Sequence, residues 1–199
     1  MGAEQFQKHI LTIITFLPLA GAALIALIPR RATTAIKAVA LLVSAATFAI
    51  SVPLFFWFRT GTPGMQFTVD VPWITLLGQQ AIRYSVGIDG ISLFMVLLTT
   101  FLTMIAIAGS FAGIKDRERE YYALMLMPET GMLGVFVALD LVLFYVFWEA
   151  MLIPMYFIIG VWGGPRRIYA AVKFFIYTMA GSLLMLVAII GWSLYSWML

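Results

Sequence analysis

Cysteine is missing from this 199-residue sequence, and histidine occurs once, as His9. Without thiols there is no disulfide and no thiolate-held zinc or iron–sulfur cluster. A single imidazole builds neither a bis-histidine haem nor a histidine-rich metal site. The chain is therefore expected to carry no cofactor and no redox centre of its own. Charge is scarce as well. Asp, Glu, Lys and Arg make up 11% of the residues, where soluble domains run near 25%. No low-complexity tract or polar linker interrupts the chain, so a second, soluble domain is not expected.

Apolar residues fill the space that charge leaves. They reach 63% of the chain, more than a soluble protein of this size hides in its core, so the solvent for most of the surface is lipid. Six hydrophobic runs, residues 10–28, 36–58, 90–112, 121–138, 141–162 and 169–192, are 18–24 residues long. At ~1.5 Å per residue each crosses a hydrocarbon core of ~30 Å. The expected fold is an all-α polytopic bundle of about six membrane-spanning helices, forming one domain over residues 1–199. The first run has no small-residue cleavage site before Arg30-Arg31, so it reads as a retained anchor and not as a signal peptide.

The net charge of +3 does not point to nucleic acid, because the basic residues sit in short clusters between the runs. Arg30, Arg31, Lys37, Lys115, Arg117, Arg119, Arg166, Arg167 and Lys173 flank the odd-numbered connections. Lys8, Arg59 and Arg83 belong to the other side. Nine of the 12 basic residues against three puts the odd connections in the cytoplasm and the N-terminus outside. Trp57, Trp73, Trp192 and Trp197 then fall near the outer interface and Trp162 near the inner one. The long connection from Arg59 to Asp89 alternates loosely and contains Leu77-Gly78. It reads either as two short strands joined by a turn on the outer surface or as an irregular loop.

Glu149 is the most informative residue. It lies midway along the fifth run, in Phe144-Tyr-Val-Phe-Trp-Glu-Ala-Met-Leu-Ile-Pro. A charge at the bilayer centre costs ~2.5–3.5 kcal/mol on insertion scales, and such residues face a bundle interior or a wet cavity. Pro154 cannot donate to the Ala150 carbonyl, which leaves an acceptor beside the carboxylate where water binds. Tyr145 and Tyr156 fall on the same helical face. The competing reading is a structural carboxylate paired with a lysine on another helix. Glu129 follows Pro128 in the fourth run, at the depth of Glu149 if the two runs form a hairpin turning near Leu139. Facing each other, two such carboxyls would share a proton. Asp140, at that turn, is a candidate either for the proton path or, more simply, for capping the fifth helix. Lys173 stands about one turn into the sixth run, where its stem either snorkels to the interface or turns inward. Gly131, Gly134 and Gly181 suit close helix contacts.

Three segments carry a resemblance. Leu133-Gly-Val-Phe-Val-Ala-Leu-Asp with the run through Glu149 to Pro154, Lys173-Phe-Phe-Ile-Tyr-Thr, and Gly87-Ile-Asp-Gly-Ile-Ser-Leu resemble the antiporter-like membrane subunits of respiratory NADH–quinone oxidoreductase, of the subunit M type. The resemblance covers nearly all of the chain from about Gly87 onward. It implies a proton-translocating subunit of that enzyme, placed in a bacterial inner membrane among other membrane-arm subunits. Flavin, iron–sulfur clusters and quinone would belong to partner chains. Glu149 would be the acidic half of a charge pair in a proton path, its partner a lysine on a following, seventh helix that this sequence does not include. Lys173 would be the family's sixth-helix lysine and Asp140 its hairpin aspartate. Members have about fourteen helices in two inverted repeats, so the chain is expected to be the N-terminal part of such a subunit. A subunit of a multi-subunit sodium–proton antiporter is the alternative, since its motifs are similar. A purely structural module, with Glu149 as a packing residue, is the third reading.

Overall fold

The structure, a computed structural model, describes residues 3–62, 64–76 and 79–198. Helices α1 (Ala3–Leu27) and α2 (Thr33–Trp57) are followed by strands β1 (Gln66–Leu76) and β2 (Gln79–Ile88). Then come α3 (Gly90–Ser110), α4 (Glu118–Val137), α5 (Leu141–Ala150), α6 (Leu152–Trp162) and α7 (Arg167–Met198). The fifth run is thus two helical segments, not one. They meet at Met151, three residues before Pro154, whose missing N–H leaves the ladder incomplete there. The chain is an integral membrane protein. Among the described residues, five stretches are long and apolar enough to cross a bilayer, with α5 and α6 counted together as Leu141–Trp162.

α4 is the exception, and its place in the fold explains why. It packs against α1, α2, α3, α5, α6 and β2. A helix surrounded by protein has no need of an apolar surface all round. Two apolar clusters hold the α1–α4 bundle. One, at the hairpin end, joins Ile10, Leu11 and Ile14 of α1 to Leu54, Val96, Leu133 and Val137. The other, at the opposite end, joins Ala22 and Ile25 to Ile36, Ala40, Ile107, Tyr122 and Leu126. Between them the buried residues change character. α1 contributes Thr15 and α2 contributes Ser44, Thr47 and Ser51. α3 adds Thr99, Thr100 and Thr103, and α4 adds Glu129 and Thr130.

The connection between α2 and α3 is an antiparallel hairpin, with register shifts near Gln66 and Pro72. Phe67 takes a positive φ of 56° at the first of these, and Pro72 brings no ladder donor at the second. Asp70 and Arg83 close a bidentate pair at 2.7 and 2.9 Å. The guanidinium hydrogen bond holds the Asp70 carboxyl below its ordinary value. The turn expected at Leu77-Gly78 lies outside the described residues, as do the side chains of Lys8 and Trp197. β2 docks on the α4–α5 turn: the Leu139 N–H donates to the Ser85 carbonyl at 2.9 Å. A Cβ on Gly87 would meet Leu139 Cδ1 at 2.9 Å and Thr68 Cγ2 at 3.0 Å, so glycine eases this close approach. The hairpin therefore sits at the end of the bundle that holds the starts of α1, α3 and α5. Arg30–Glu120 at 2.6 Å and Lys37–Glu118 at 2.9 Å tie the opposite end together.

Candidate functional site

Asp140 holds the α4–α5 turn in place. Its carboxylate accepts from the Val142 and Leu143 N–H groups, both at 2.9 Å, which makes it the N-cap of α5. One face of α5 then meets α4. A Cβ on Gly134 would run into the ring of Phe147, and one on Gly131 into Cγ of Met151. Two glycines thus let α4 and α5 approach closely, as expected. Gly181 behaves otherwise, because a Cβ there would meet nothing within 4 Å.

This contact also fixes how the two glutamates are related. At ~100° per residue, Gly131 and Gly134 lie about 200° and 140° around α4 from Glu129. Tyr122, Leu126, Leu133 and Val137 lie within about 80° of it, and all four belong to the core shared with α1, α2 and α3. Glu129 therefore points into the α1–α4 bundle, away from α5 and Glu149. Equal depth did not bring them face to face, because depth along a hairpin leaves the rotation of each helix free.

Glu149 lies just before the break at Met151. Its Oε1 is buried without a hydrogen-bond partner. The Tyr145 hydroxyl lies beside Glu149 and beside Ser182 of α7, and Ser182 is itself buried, donating to the Met179 carbonyl at 3.0 Å. Tyr156 packs on Phe175 of α7, ring centroids 5.7 Å apart. The anticipated stripe thus resolves into a polar group around Glu149, Tyr145 and Ser182, followed by an aromatic contact one helix segment later.

Lys173 is exposed, with Nζ 5.8 Å from the centroid of the Tyr169 ring. Tyr156 opposite Phe175 and Gly160 opposite Ala171 set the antiparallel register of α6 and α7. That register puts Ser182 level with Glu149 and Lys173 about nine residues, or ~14 Å, nearer the α6–α7 turn. Among the described residues no ion pair joins them. Lys173 instead lines a groove with Arg166, Arg167, Tyr169 and Tyr177 where the two helices diverge. Among the described residues no three His, Asp or Glu side chains are grouped to hold a metal ion.

The buried hydroxyls of α1, α2 and α3 were not anticipated as a group. Of these, the Thr100 hydroxyl donates to the Val96 carbonyl of its own helix at 3.0 Å. A signal was present in Ser44, Thr47 and Ser51, whose spacings of three and four place them on one face of α2.

Comparison with known proteins follows the same segments. The profile of the family described as "NADH:quinone oxidoreductase/Mrp antiporter, TM" matches residues 138–198. NADH-quinone oxidoreductase subunit M of Rhodobacter capsulatus is 50% identical over 188 residues, covering 92% of this chain and 36% of that protein. Among solved structures, an archaeal membrane-bound sulfane sulfur reductase superposes with a TM-score of 0.73 at 27% identity, covering 90% of this chain and 27% of the other. The Mrp complex from Dietzia superposes with a TM-score of 0.72 at 23% identity, covering 89% and 19%, a likeness of fold. The chain spans little more than a third of the length of the curated relatives it matches.

Proposed function

We propose that this chain, which belongs to the NADH-quinone oxidoreductase subunit M family, is part of a proton-translocating membrane-arm subunit of that respiratory enzyme. Electrons move in partner chains that hold flavin, iron–sulfur clusters and quinone. This subunit answers by changing the protonation of a half-buried carboxyl, Glu149. The observation that carries the reading is a glutamate next to a helix break in a membrane span, with one oxygen buried and unpartnered.

The magnitudes say what kind of partner Glu149 needs. At an effective dielectric near 20, a unit positive charge ~14 Å away favours the ionised carboxyl by about 1.2 kcal/mol. Lys173, offset by that much along the axis and exposed to solvent, supplies at most an attraction of this order. A cation brought to half that distance attracts about twice as strongly. Lys173 therefore serves as a station nearer the α6–α7 turn, and a closer, movable positive charge sets the state of Glu149. Water links the two, starting at the Ala150 carbonyl that Pro154 leaves free. Asp140 acts by holding α5 and not by carrying the proton.

The reading places the chain in a bacterial inner membrane with its N-terminus and β-hairpin outside. Cysteine at position 117 would then label from the cytoplasm and cysteine at position 66 from outside. A membrane-impermeant thiol reagent on intact cells, labelling position 117 but not 66, would refute that orientation. The family description and the fold of the Mrp complex favour one second reading, a subunit of a sodium–proton antiporter. The two separate when the full-length protein is purified with its partners. NADH-driven quinone reduction in the preparation supports the first, and sodium-driven proton exchange without it supports the second.

A further inference from the structure

The centre of the α1–α4 bundle is built for a positive charge, and the described residues provide none there. Glu129 is fully buried, and neither carboxyl oxygen has a protein hydrogen-bond partner. The Thr15 and Thr130 hydroxyls in the same belt are also buried and unpartnered. Other hydroxyls of the belt spend their protons locally. Thr47 donates to the Val43 carbonyl at 2.9 Å, Ser51 to the Phe48 carbonyl at 2.7 Å, and Ser51 and Thr100 share a bond of 3.1 Å. A hydroxyl that donates within its own helix turns lone pairs outward. Thr15 and Thr130 keep their protons but neither donates to the carboxyl, so Glu129 is left without a protein donor.

The ionisable groups of the packed elements do not fill that need. α3 contains none, Lys8 and His9 stand at the start of α1, and Lys37 of α2 is paired with Glu118 at the far end. On β2, Arg83 is paired with Asp70 and the Tyr84 hydroxyl bonds Thr12 at 3.0 Å. On α4 itself Tyr122 accepts from Ser110 at 3.3 Å, Glu149 of α5 lies across the opposite face of α4, and α6 offers only Tyr156. A hard metal cation demands a cage of converging oxygens. Neither carboxyl oxygen of Glu129 has a hydrogen-bond partner, and Glu129 is the one carboxylate that the described residues of the belt contribute. A proton, held on the carboxyl and exchanged through water, needs no such cage and supplies the missing donor.

We infer that Glu129 and the hydroxyl belt around it form a second, internally hydrated proton-binding site, inside the α1–α4 bundle and separate from Glu149. The site stands on the belt alone and does not require Glu149 to carry protons. The test is infrared spectroscopy on the full-length subunit in its complex, reconstituted in lipid and titrated in pH. Subtracting the Glu129→Gln spectrum should reveal a protonated-carboxyl band that shifts within minutes of transfer to heavy water. The band should survive Glu149→Gln. Glu129→Asp, which keeps a carboxyl, should move the band and not abolish it, and it serves if the glutamine variant fails to assemble. Three results overturn the proposal: no band tied to Glu129, a band unmoved after hours in heavy water, or a titration that follows sodium concentration.

Discussion

Replacing Gly134 by alanine tests the packing that turns the two glutamates away from each other. The new methyl would press on the Cγ, Cδ1 and Cδ2 atoms of the Phe147 ring. That ring is only 6% exposed and belongs to the cluster that includes Leu133 and Val137, so it has little room to withdraw. Overpacking of this kind costs about 1–3 kcal/mol, and three crowded ring atoms argue for the upper half of that range. Alanine returns about 0.8–1.0 kcal/mol over glycine in a helix interior. The net expectation is a loss of about 1–2 kcal/mol, a factor of roughly 5–30 in the ratio of folded to unfolded protein. Denaturant titration of the full-length protein in mixed micelles measures it. Phe147→Leu alone destabilises by opening a cavity, but in the Gly134→Ala background it should recover part of the loss, giving a coupling within the 0.5–3 kcal/mol seen for contacting pairs. Gly181→Ala is the control, since its Cβ meets nothing within 4 Å and only helix propensity acts. Equal stabilisation by both alanines, or strict additivity with Phe147→Leu, would refute the α4–α5 contact as described.

Two further outcomes concern the helix caps. Asp140→Ala should cost about 1 kcal/mol and fray the first turn of α5, while Asp140→Asn keeps most of the cap; hydrogen exchange at Val142 and Leu143 separates them, and equal exchange in both variants counts against the capping role. Asp89 caps α3 by accepting from the Ser92 N–H at 2.7 Å, and that backbone bond holds its carboxyl below the usual value of 3.8. Its contribution is therefore complete above the unfolded pKa of about 3.9 and disappears as pH falls through the lower folded value. Protection of the Ser92 amide, taken relative to its intrinsic exchange rate at each pH, should fall in acid in the wild type and stay flat in Asp89→Asn, and a fall in both would remove the carboxylate from the explanation.

What the sequence made legible follows from how local each signal is. The Asp140 cap depends on residues within one turn, and it was readable. The hairpin was readable as one of two alternatives, because alternation survives in Val69 to Ile74 although Phe67 and Pro72 disturb the register. The break at Met151 was half readable: Pro154 announced the missing donor, but a lone proline is also compatible with a continuous membrane helix. The direction of Glu129 is a tertiary property. It follows from which face of α4 meets α5, and Gly131 and Gly134 carry that information only once the helices are known to touch there. The belt escaped for a related reason. Serine and threonine in membrane spans often bond their own backbone, so Ser44, Thr47 and Thr103 look unremarkable until α1, α2 and α3 are seen to bring them to one level beside Glu129.

The role assigned to Glu149 is tested most directly by proton pumping in the assembled complex. Glutamine at this position keeps the size and much of the hydrogen bonding of the side chain but cannot exchange a proton. NADH-driven acidification should be measured in lipid vesicles that hold the complex with Glu149→Gln, alongside assembly on native gels. Acidification should be largely lost with assembly intact, and Glu149→Asp should retain part of it. Normal pumping by a normally assembled glutamine variant would contradict the proposal.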